Sequence, residues 1–266
     1  MKKVRLDVLL VERGLVPSRE LGRRLILAGQ IRVSGELLDK PAQRVVPNAK
    51  ITVDTGPPYV SRGGQKLEAA LDRFELDVEG WAVADVGAST GGFTDCLLQR
   101  GARRVYAIDV GYGQLAWTLR QDPRVVVMER TNARYLTALP EPIDLVTLDA
   151  SFISLKLLLP SSVRWLQDSG RAVPLIKPQF EAGRRQVGKG GVVRDPVVHR
   201  QVLIDLLSWA EAEGWGVWGL IPSPLRGPAG NVEFLAYLKP GAPSTLELEL
   251  AVENALAEAE AAQQPA

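Results

Sequence analysis

From residue 61 onward, short apolar runs alternate with longer segments in which apolar residues recur at helical spacing. The short runs predict buried strands, at residues 81–87, 103–111, 124–130, 142–152, 170–180, 215–225 and 231–240. The segments between them predict amphipathic helices, at residues 61–76, 93–102, 113–121, 155–166 and 198–214. This alternation predicts an α/β fold with a mostly parallel sheet and helices on both faces, in which the last two strands pair with each other.

The first 56 residues follow a different pattern, in which two helical segments precede two strand-like runs. These segments lie at residues 5–15, 18–30, 31–38 and 50–56. Ser18 is the expected N-cap of the second helix and Gly29 its expected stop. The pattern therefore predicts a small N-terminal α+β domain.

Two breaks in composition divide the chain. The first is a Gly- and Pro-rich segment at residues 55–64, and the second follows Lys239-Pro240-Gly241. The sequence therefore predicts a small domain, a linker, a large domain and an acidic tail, at residues 1–56, 57–63, 64–240 and 241–266. For the Ala/Glu-rich tail, a short helix and disorder are both compatible with the composition.

Charge is unevenly distributed along a chain of net charge +1. Residues 1–56 hold 11 Lys or Arg against 6 Asp or Glu, and residues 151–200 hold 9 against 3. Two basic zones on a nearly neutral chain indicate a polyanionic partner, although a solvated Lys/Arg face is the alternative for each zone.

Several classes of protein are disfavoured by the same composition. No apolar run approaches the roughly 18 residues of a membrane span, and Asp7, Glu12 and Arg13 interrupt the N-terminal segment where a signal peptide would be apolar. Cys96 is the single cysteine, so no disulfide forms within the chain. We therefore expect a cytoplasmic protein without membrane contact or a metal site.

A glycine-rich loop, DVGASTGGFTD at residues 85–95, joins a predicted strand to a predicted helix. It lacks the Gly-Lys-Ser/Thr of a triphosphate loop and is not a complete G-x-G-x-x-G motif. A purely structural turn that needs glycine is the alternative reading. We expect the loop to contact a ligand through Gly87, Ser89, Gly91, Gly92 and Phe93.

Three polar residues near predicted strand ends indicate which ligand this is. Asp109 lies at the end of the next strand, where a carboxylate can accept hydrogen bonds from both ribose hydroxyls. Asp85 is placed to meet an ammonium group, and Asn132 to meet an adenine edge. An amino-acid end, a ribose and an adenine together describe S-adenosylmethionine better than NAD.

Several blocks of the sequence resemble the hemolysin-A-type (TlyA) ribosomal RNA 2′-O-methyltransferases of the FtsJ-like superfamily. The blocks are SRGGQKLEAAL, DVGASTGGFTDCLLQRGA, VTLDASFISL, LIKPQFEAGR and NVEFL, and the resemblance spans about residues 3–240. It implies a Rossmann-like methyltransferase domain that uses S-adenosylmethionine and methylates ribose 2′-hydroxyls of cytidines in ribosomal RNA or ribosomal subunits. The segment PPYV at 57–60 stands where family members carry an aromatic-containing linker, and differs from it in detail.

The resemblance also implies roles for individual residues. The superfamily's catalytic Lys-Asp-Lys-Glu pattern corresponds here to Lys66, Asp149, Lys177 and Glu233, and Asp149 also lies at the cofactor. The N-terminal part is similar to the αL RNA-binding motif, which implies RNA backbone contacts by Arg5, Ser18, Arg19, Arg23 and Arg24. We add Arg62 beside the linker, and Arg184, Arg185 and Lys189 in a flexible Gly-rich basic segment that follows Lys177, as further RNA-binding candidates.

The chemistry explains why two lysines and two acids are needed. A ribose 2′-hydroxyl is a weak acid, so it must lose its proton near the moment it attacks a methyl group. A lysine accepts that proton only when neutral, a state favoured by burial and by a second cation. We expect Lys177 to be the base with Asp149 orienting it, and Phe180 or Phe152 to stack on a target base that has left its helix.

Three other functions remain open from the sequence. The catalytic part fits an FtsJ-like methyltransferase of tRNA or another RNA equally well, and only the N-terminal domain favours ribosomal RNA. A membrane-active haemolysin is suggested by the family name but lacks an apolar run. A binding-only ribosome-assembly factor is disfavoured by the intact Lys-Asp-Lys-Glu set.

Overall fold

The chain folds into two compact units, one ending at Pro58 and the other beginning at Tyr59. The structure, a computed structural model, describes residues 2–54 and 56–262. The last four residues of the predicted tail lie outside the described residues. Each unit is described by itself.

The N-terminal unit contains two helices and five short strands. They are β1 (Val4–Arg5), α1 (Leu6–Glu12), α2 (Arg19–Leu27), β2 (Ile31–Val33), β3 (Glu36–Leu37), β4 (Arg44–Val45) and β5 (Ile51–Val53). The antiparallel sheet β3-β2-β5 and the pair β1-β4 accompany the two helices. The predicted small α+β fold is thus confirmed, with β1 and β4 as additional strands.

Both predicted boundaries of α2 are confirmed. The Ser18 hydroxyl accepts a hydrogen bond from the Leu21 N–H at 3.2 Å, and Gly29 beyond the helix end has a φ of +71°. The predicted strand at residues 31–38 is instead a hairpin. Ser34 and Gly35 both have positive φ, the conformation of a tight two-residue hairpin turn.

The larger unit alternates strands and helices. Its elements are α3 (Gly63–Arg73), β6 (Ala82–Val86), α4 (Gly92–Gln99), β7 (Arg104–Ile108), α5 (Trp117–Arg120), β8 (Val125–Met128), β9 (Ile143–Leu148), α6 (Leu159–Val163), β10 (Leu166–Ile176), α7 (Pro178–Glu181), α8 (Pro196–Ala212), β11 (Trp215–Pro222), β12 (Phe234–Pro240) and α9 (Leu248–Ala261). Two 3₁₀ turns, Ala133–Tyr135 and Leu155–Leu157, follow β8 and β9.

One seven-stranded sheet, ordered β11-β12-β10-β9-β6-β7-β8, organises this unit. The five neighbours from β10 to β8 are parallel, and β12 runs antiparallel to both β10 and β11. The mostly parallel sheet and the pairing of the last two strands were predicted and are confirmed. Because β12 is reversed, the residues before it lie at the edge where the parallel strands end.

Helices cover both faces of the sheet, as predicted. Alternate residues of β6 show the division: Ala82, Ala84 and Val86 pack into the core under α6, α8 and α9, whereas Val83 packs into the core under α3 and α4. The sheet is therefore buried on both sides, and only its strand ends are available to form a site.

Two predicted elements differ in the structure, and a proline accounts for each difference. The helix predicted at 155–166 is a 3₁₀ turn followed by the short α6, because Pro160 lacks an N–H and fits only the first turn of a helix. The strand predicted at 170–180 ends at Ile176, because Pro178 begins the short α7.

The predicted acidic tail and linker also differ. The tail forms α9, one of the two expected outcomes, but it is packed into the large unit: Val252 and Ala255 are fully buried beside α8. The linker region beyond Pro58 likewise belongs to this unit, because the Tyr59 ring is 6% exposed and packs directly against Gly64. Local composition showed the helical tendency of the tail but not the apolar surface that it covers.

Candidate active site

The glycine-rich loop connects β6 to α4, and two of its glycines are required by the packing. Gly87 has a φ of +83°, and a Cβ there would lie 2.7 Å from the Asp149 carbonyl oxygen at the end of β9. Gly91 has a φ of +101°, and a Cβ there would collide with Leu119. The loop is therefore compressed between the neighbouring strand end and α5, a geometry that only glycine permits.

A cavity of about 430 Å³ opens beside this loop, at the carboxyl ends of β6 to β9. Its lining includes Gly87, Ser89, Asp109, Asn132 and Asp149. The structure thus brings together five of the residues that were predicted at the cofactor, and their elements are far apart in sequence.

Hydrogen bonds to the backbone fix two polar side chains that line this cavity, those of Asp109 and Asn132. The Asp109 carboxylate accepts from the Ser89 N–H at 2.8 Å and from the Gly111 N–H at 2.6 Å. The Asn132 side-chain oxygen accepts from the Arg134 N–H at 3.1 Å, which begins the 3₁₀ turn after β8. Both side chains are therefore held before any ligand arrives.

Asp85 differs from its expected position, because it does not line the cavity. Its side chain is fully buried, and its carboxylate accepts hydrogen bonds from Thr94 Oγ1 at 2.6 Å and Thr147 Oγ1 at 3.1 Å. Burial raises the pKa of this carboxyl group to about 7. Asp85 thus joins α4 to β9 through Thr94 and Thr147, and its buried carboxylate does not reach a ligand's ammonium group.

A second cleft of about 480 Å³ adjoins the first and contains the predicted catalytic residues. Lys66, Asp149, Lys177 and Glu233 all line it. Gly92 and Phe93, expected at the cofactor, line this cleft instead, and Gly91 lines neither cavity. The two cavities share residues Gly87, Ser89, Asp149 and Ser151.

Lys66 and Glu233 form a buried ion pair on one side of the cleft. Lys66 Nζ lies 2.5 Å from Glu233 Oε2, and the two residues are 7% and 1% exposed. Gly227 leaves room for the carboxylate, because a Cβ at that position would lie 2.5 Å from Glu233 Oε1. The pair joins the first turns of α3 to the start of β12.

Lys177 and Asp149 form a second ion pair on the other side. Lys177 Nζ lies 2.6 Å from Asp149 Oδ1 and also donates to the Asp149 carbonyl at 3.3 Å and to Ser151 Oγ at 3.1 Å. Three acceptors match the three N–H bonds of a charged ammonium group.

Two residues that contact these groups escaped the sequence analysis, as did one residue beside them. Ser151 accepts from Lys177, and Gln179 Nε2 donates to Glu233 Oε1 at 3.4 Å. Beside them, the partly buried Glu181 carboxylate accepts from Ser154 Oγ at 2.6 Å and from the Leu155 N–H at 2.8 Å, which fixes the turn after β9. All three residues lie inside motifs that carry the proposed catalytic residues, and this position could have identified them. Gln179 and Glu181 follow Lys177 within LIKPQFE, and Ser151 follows Asp149 by two positions.

In the N-terminal unit, a buried carboxylate organises two of the five predicted RNA-binding residues. Asp7 is fully buried and accepts from Arg5 Nε at 3.0 Å and from Arg19 Nε at 2.9 Å. The Arg5 guanidinium, with Arg19 in support, holds the Asp7 pKa below its usual value. Arg23 and Arg24 are exposed on α2.

In the large unit, the remaining RNA-binding candidates lie near the cleft or on an exposed segment. Arg62 lines the catalytic cleft. Arg184, Arg185 and Lys189 are exposed on the segment between α7 and α8.

The two aromatic candidates form a pair. The Phe152 and Phe180 ring centroids are 5.0 Å apart, and Phe152 is 90% exposed with a φ of +64°. Phe152 also lines the cavity beside the glycine-rich loop, the proposed cofactor cavity, together with Asp149 and Ser151, which line the second cleft as well.

Within residues 2–54 and 56–262, no three or more His, Cys, Asp or Glu side chains cluster in a way that could hold a metal ion. No helix in the same part of the chain combines the length and apolarity needed to cross a bilayer.

Comparison with known families divides the chain as the structure does. The sequence model of the FtsJ-like methyltransferases matches residues 59–239, and that of the S4 domain matches residues 4–51. The catalytic cleft, the cofactor cavity and the glycine-rich loop all fall within the first match.

Individual relatives extend over nearly the whole chain. "Putative rRNA methyltransferase YqxC" of Bacillus subtilis is 52% identical over 244 residues, which cover 89% of this chain and 86% of that protein. The "16S/23S rRNA (cytidine-2′-O)-methyltransferase TlyA" of Mycobacterium tuberculosis is 48% identical over 264 residues, covering 97% of this chain and 98% of that protein. A solved structure, "Putative hemolysin from Streptococcus thermophilus", has a TM-score of 0.75 at 42% identity and covers 98% of this chain and 97% of its own.

The buried Asp85 generates a prediction about stability and pH. Because its pKa of about 7 in the folded state exceeds the value of 3.8 for a free carboxyl, the folded protein binds this proton more tightly than the unfolded chain does. Stability should therefore fall as pH rises from about 4 to about 7, by up to about 1.4 kcal/mol per pH unit. An Asp85→Asn variant cannot ionise, so its melting temperature relative to the wild type should rise between pH 5 and pH 7 and level off above about pH 7.

Thermal unfolding of both proteins across this pH range measures the effect. Asp205→Asn, which changes an exposed carboxylate on α8, is the matched control and should follow the wild type. Identical pH dependence of Asp85→Asn and the wild type would contradict the buried, protonating carboxyl group.

Proposed function

Because this chain belongs to the FtsJ-like methyltransferase family, in its hemolysin-A-type (TlyA) branch, we propose that it methylates a ribose 2′-hydroxyl of a cytidine in ribosomal RNA. The observation that carries this proposal is the meeting of Lys66, Asp149, Lys177 and Glu233 in one cleft that opens into the cofactor cavity. The choice of ribosomal RNA and of cytidine follows the relatives that bear this activity in their names.

The cofactor cavity fits S-adenosylmethionine. Gly87 lets the loop lie directly against the Asp149 backbone at the end of β9, and both residues line the cavity. Asp109 offers a carboxylate at the end of β7, where a ribose diol binds in nucleotide sites, and Asn132 offers an amide to an adenine edge. When bound, this cofactor supplies an electrophilic methyl group on a sulfonium.

The residues of the cleft would position the target hydroxyl and hold its proton. Asp149, which lines both cavities, keeps Lys177 Nζ at their junction. On the opposite side Lys66 neutralises Glu233, whose Oε1 faces Gln179 and the cleft. Methyl transfer needs the attacking oxygen in line with the bond between the methyl carbon and the sulfonium sulfur. Side chains that are held in place around the hydroxyl would therefore raise the rate by orienting it.

Lys177 is the proposed proton acceptor, and its contacts define a condition for that role. Its three acceptors satisfy an ammonium group, whereas only a neutral amine can accept a proton. Lys177 can therefore take up the proton of the 2′-hydroxyl only in its neutral amine form. Ser151, a hydroxyl that both donates and accepts, can remain hydrogen-bonded in either state.

The target nucleotide has to leave its helix for its ribose to enter this cleft. The exposed Phe152, paired with Phe180, offers an aromatic face at the mouth of the site on which the displaced base can stack. The N-terminal S4 domain supplies the second RNA contact, through Arg5, Ser18, Arg19, Arg23 and Arg24. An enzyme that acts on ribosomal RNA or ribosomal subunits works in the cytoplasm.

Replacement of the proposed base tests the reaction directly. Lys177→Ala should lower kcat for transfer of a tritiated methyl group to ribosomal subunits by about 10²- to 10⁴-fold, the usual contribution of a general base. Its affinity for S-adenosylmethionine should change little, because Lys177 lines the cleft but not the cofactor cavity.

Lys239→Ala is the control for this variant. Lys239 lies near the end of β12, at the opposite end of the sheet, where its ammonium group stacks on the Trp218 ring. Full methylation by Lys177→Ala would refute the role of Lys177. Mapping of the modified ribose in the wild-type product tests the choice of ribosomal RNA and of cytidine.

The cofactor assignment makes a separate prediction. Asp109→Asn keeps an oxygen that can accept from Ser89 but loses the charge that would strengthen the bonds from a ribose diol. Its dissociation constant for S-adenosylmethionine should rise about 10- to 100-fold, the equivalent of about 1.5–3 kcal/mol. Titration calorimetry measures this, with Asp122→Asn as control because Asp122 pairs with Arg124 and lines neither cavity. Equal affinity of Asp109→Asn and the wild type would overturn the assignment.

The N-terminal domain makes a prediction about salt dependence. Replacement of both Arg23 and Arg24 by alanine removes two exposed charges from α2. If both contact phosphates, the slope of log affinity against log salt should decrease by about 0.7–0.9 for each lost contact. Filter binding of ribosomal RNA at several salt concentrations measures the slope. Arg73→Ala, an exposed arginine of α3, is the control, and an unchanged slope in the double variant would remove these arginines from the RNA interface.

A further inference from the structure

The basic segment between α7 and α8, residues 183–194, contains a hydrogen-bonded turn. Gly188 N–H donates to the Val192 carbonyl at 3.0 Å and Gly191 N–H to the Gly188 carbonyl at 3.1 Å. These bonds close a tight turn whose tip carries Lys189, with Gly190 and Gly191 at positive φ. The backbone that carries Lys189 is therefore tied to its own neighbours in the segment.

Two buried side chains attach this turn to the rest of the unit: Asn231, and His199 of α8, whose Nε2 lies 3.1 Å from the Val193 carbonyl oxygen. Asn231 is 2% exposed, its Oδ1 accepts from the Val193 N–H at 3.0 Å, and its Nδ2 donates to the Gly191 carbonyl at 3.0 Å. Both ends of one amide are therefore used on the backbone of the basic segment. Only asparagine offers a donor and an acceptor at this distance from its own backbone.

Asn231 also stands two residues before the catalytic Glu233. Its carbonyl accepts from the Gly227 N–H at 2.9 Å, and Gly227 is the residue that leaves room for the Glu233 carboxylate. One short stretch of chain thus carries both the attachment of the basic segment and a carboxylate of the cleft. Movement of the segment away from Asn231 would change its distance from Glu233.

We propose that Asn231 is a positioning residue, which holds the basic segment at a fixed place relative to Glu233 so that bound RNA presents its ribose to the cleft. This role rests on the proposed RNA methyl transfer. Asn231 does not itself touch RNA or the cofactor. It acts through the exposed Arg184, Arg185 and Lys189, which contact phosphates.

Two substitutions at this position separate the two hydrogen bonds. Asn231→Ala removes both and leaves the buried Val193 N–H and Gly191 carbonyl without this partner. Asn231→Asp has the same shape and keeps the bond from Val193, but a carboxylate cannot donate to Gly191. Asn254→Ala, which alters an exposed asparagine on α9, is the matched control.

Steady-state methyl transfer with ribosomal subunits tests the effect on RNA. For Asn231→Ala we expect KM for RNA to rise about tenfold, as loss of one net interaction of about 1.4 kcal/mol would produce, with Asn231→Asp intermediate. The affinity for S-adenosylmethionine should remain within about twofold of the wild type. A parallel loss of cofactor affinity and RNA affinity would instead indicate a general structural role and overturn the proposal.

A second comparison asks whether Asn231 acts through the basic segment. In a background where Arg184, Arg185 and Lys189 are all alanine, the segment has no cations left to position. Asn231→Ala should then add little to the rise in KM. If its effect is undiminished in that background, Asn231 does not act through these residues.

Limited proteolysis provides a measurement that does not depend on methyl transfer. Trypsin cleaves after arginine and lysine, so release of the segment should accelerate cleavage after Arg185 and Lys189 in Asn231→Ala under native conditions. Cleavage at the wild-type rate would contradict the attachment even if the protein proved to methylate another substrate. If Asn231→Ala does not fold, Asn231→Asp is measured in its place, because it loses only one of the two bonds.

Discussion

The buried ion pair between Lys66 and Glu233 is the interaction on which the cleft depends. Removal of two charges from water is expensive, and loss of either partner would leave the other unpaired, at a cost of about 3–5 kcal/mol. The pair joins α3 to the start of β12 across 167 residues of sequence. The contact that orients the proposed catalytic carboxylate therefore also holds two parts of the cleft lining together.

The short helix α7 secures the opposite wall. Lys177, the residue just before this helix, contacts Asp149. Within the helix, Gln179 contacts Glu233, and Glu181 caps the turn after β9. Because Pro178 begins this helix, the chain turns at the strand end and its side chains spread across the site instead of continuing the alternation of a strand. Polar groups that line the cleft are thus held by one another before RNA binds.

Strand order explains why these residues meet. Parallel strands place their carboxyl ends at one edge of the sheet, which brings together Gly87, Asp109, Asp149 and Lys177. The reversed strand β12 adds its amino end to the same edge, with Phe234 opposite Ile176. Lys177 and Glu233 therefore flank one site, because Lys177 follows β10 and Glu233 precedes the antiparallel β12.

The sequence by itself determined the fold class, the two-part organisation and both ends of α2. These follow from local patterns, because the period of apolar residues and the places of glycine depend on neighbours a few positions away. Recognition of the catalytic set also needed a likeness to known sequences, since spacing does not show that Lys66 meets Glu233. Only the tertiary structure decided that Asp85 lies beneath the loop, that Gln179 touches Glu233, and that α9 packs into the core. Burial and pairing depend on residues brought together from distant parts of the chain, and no local pattern records that proximity.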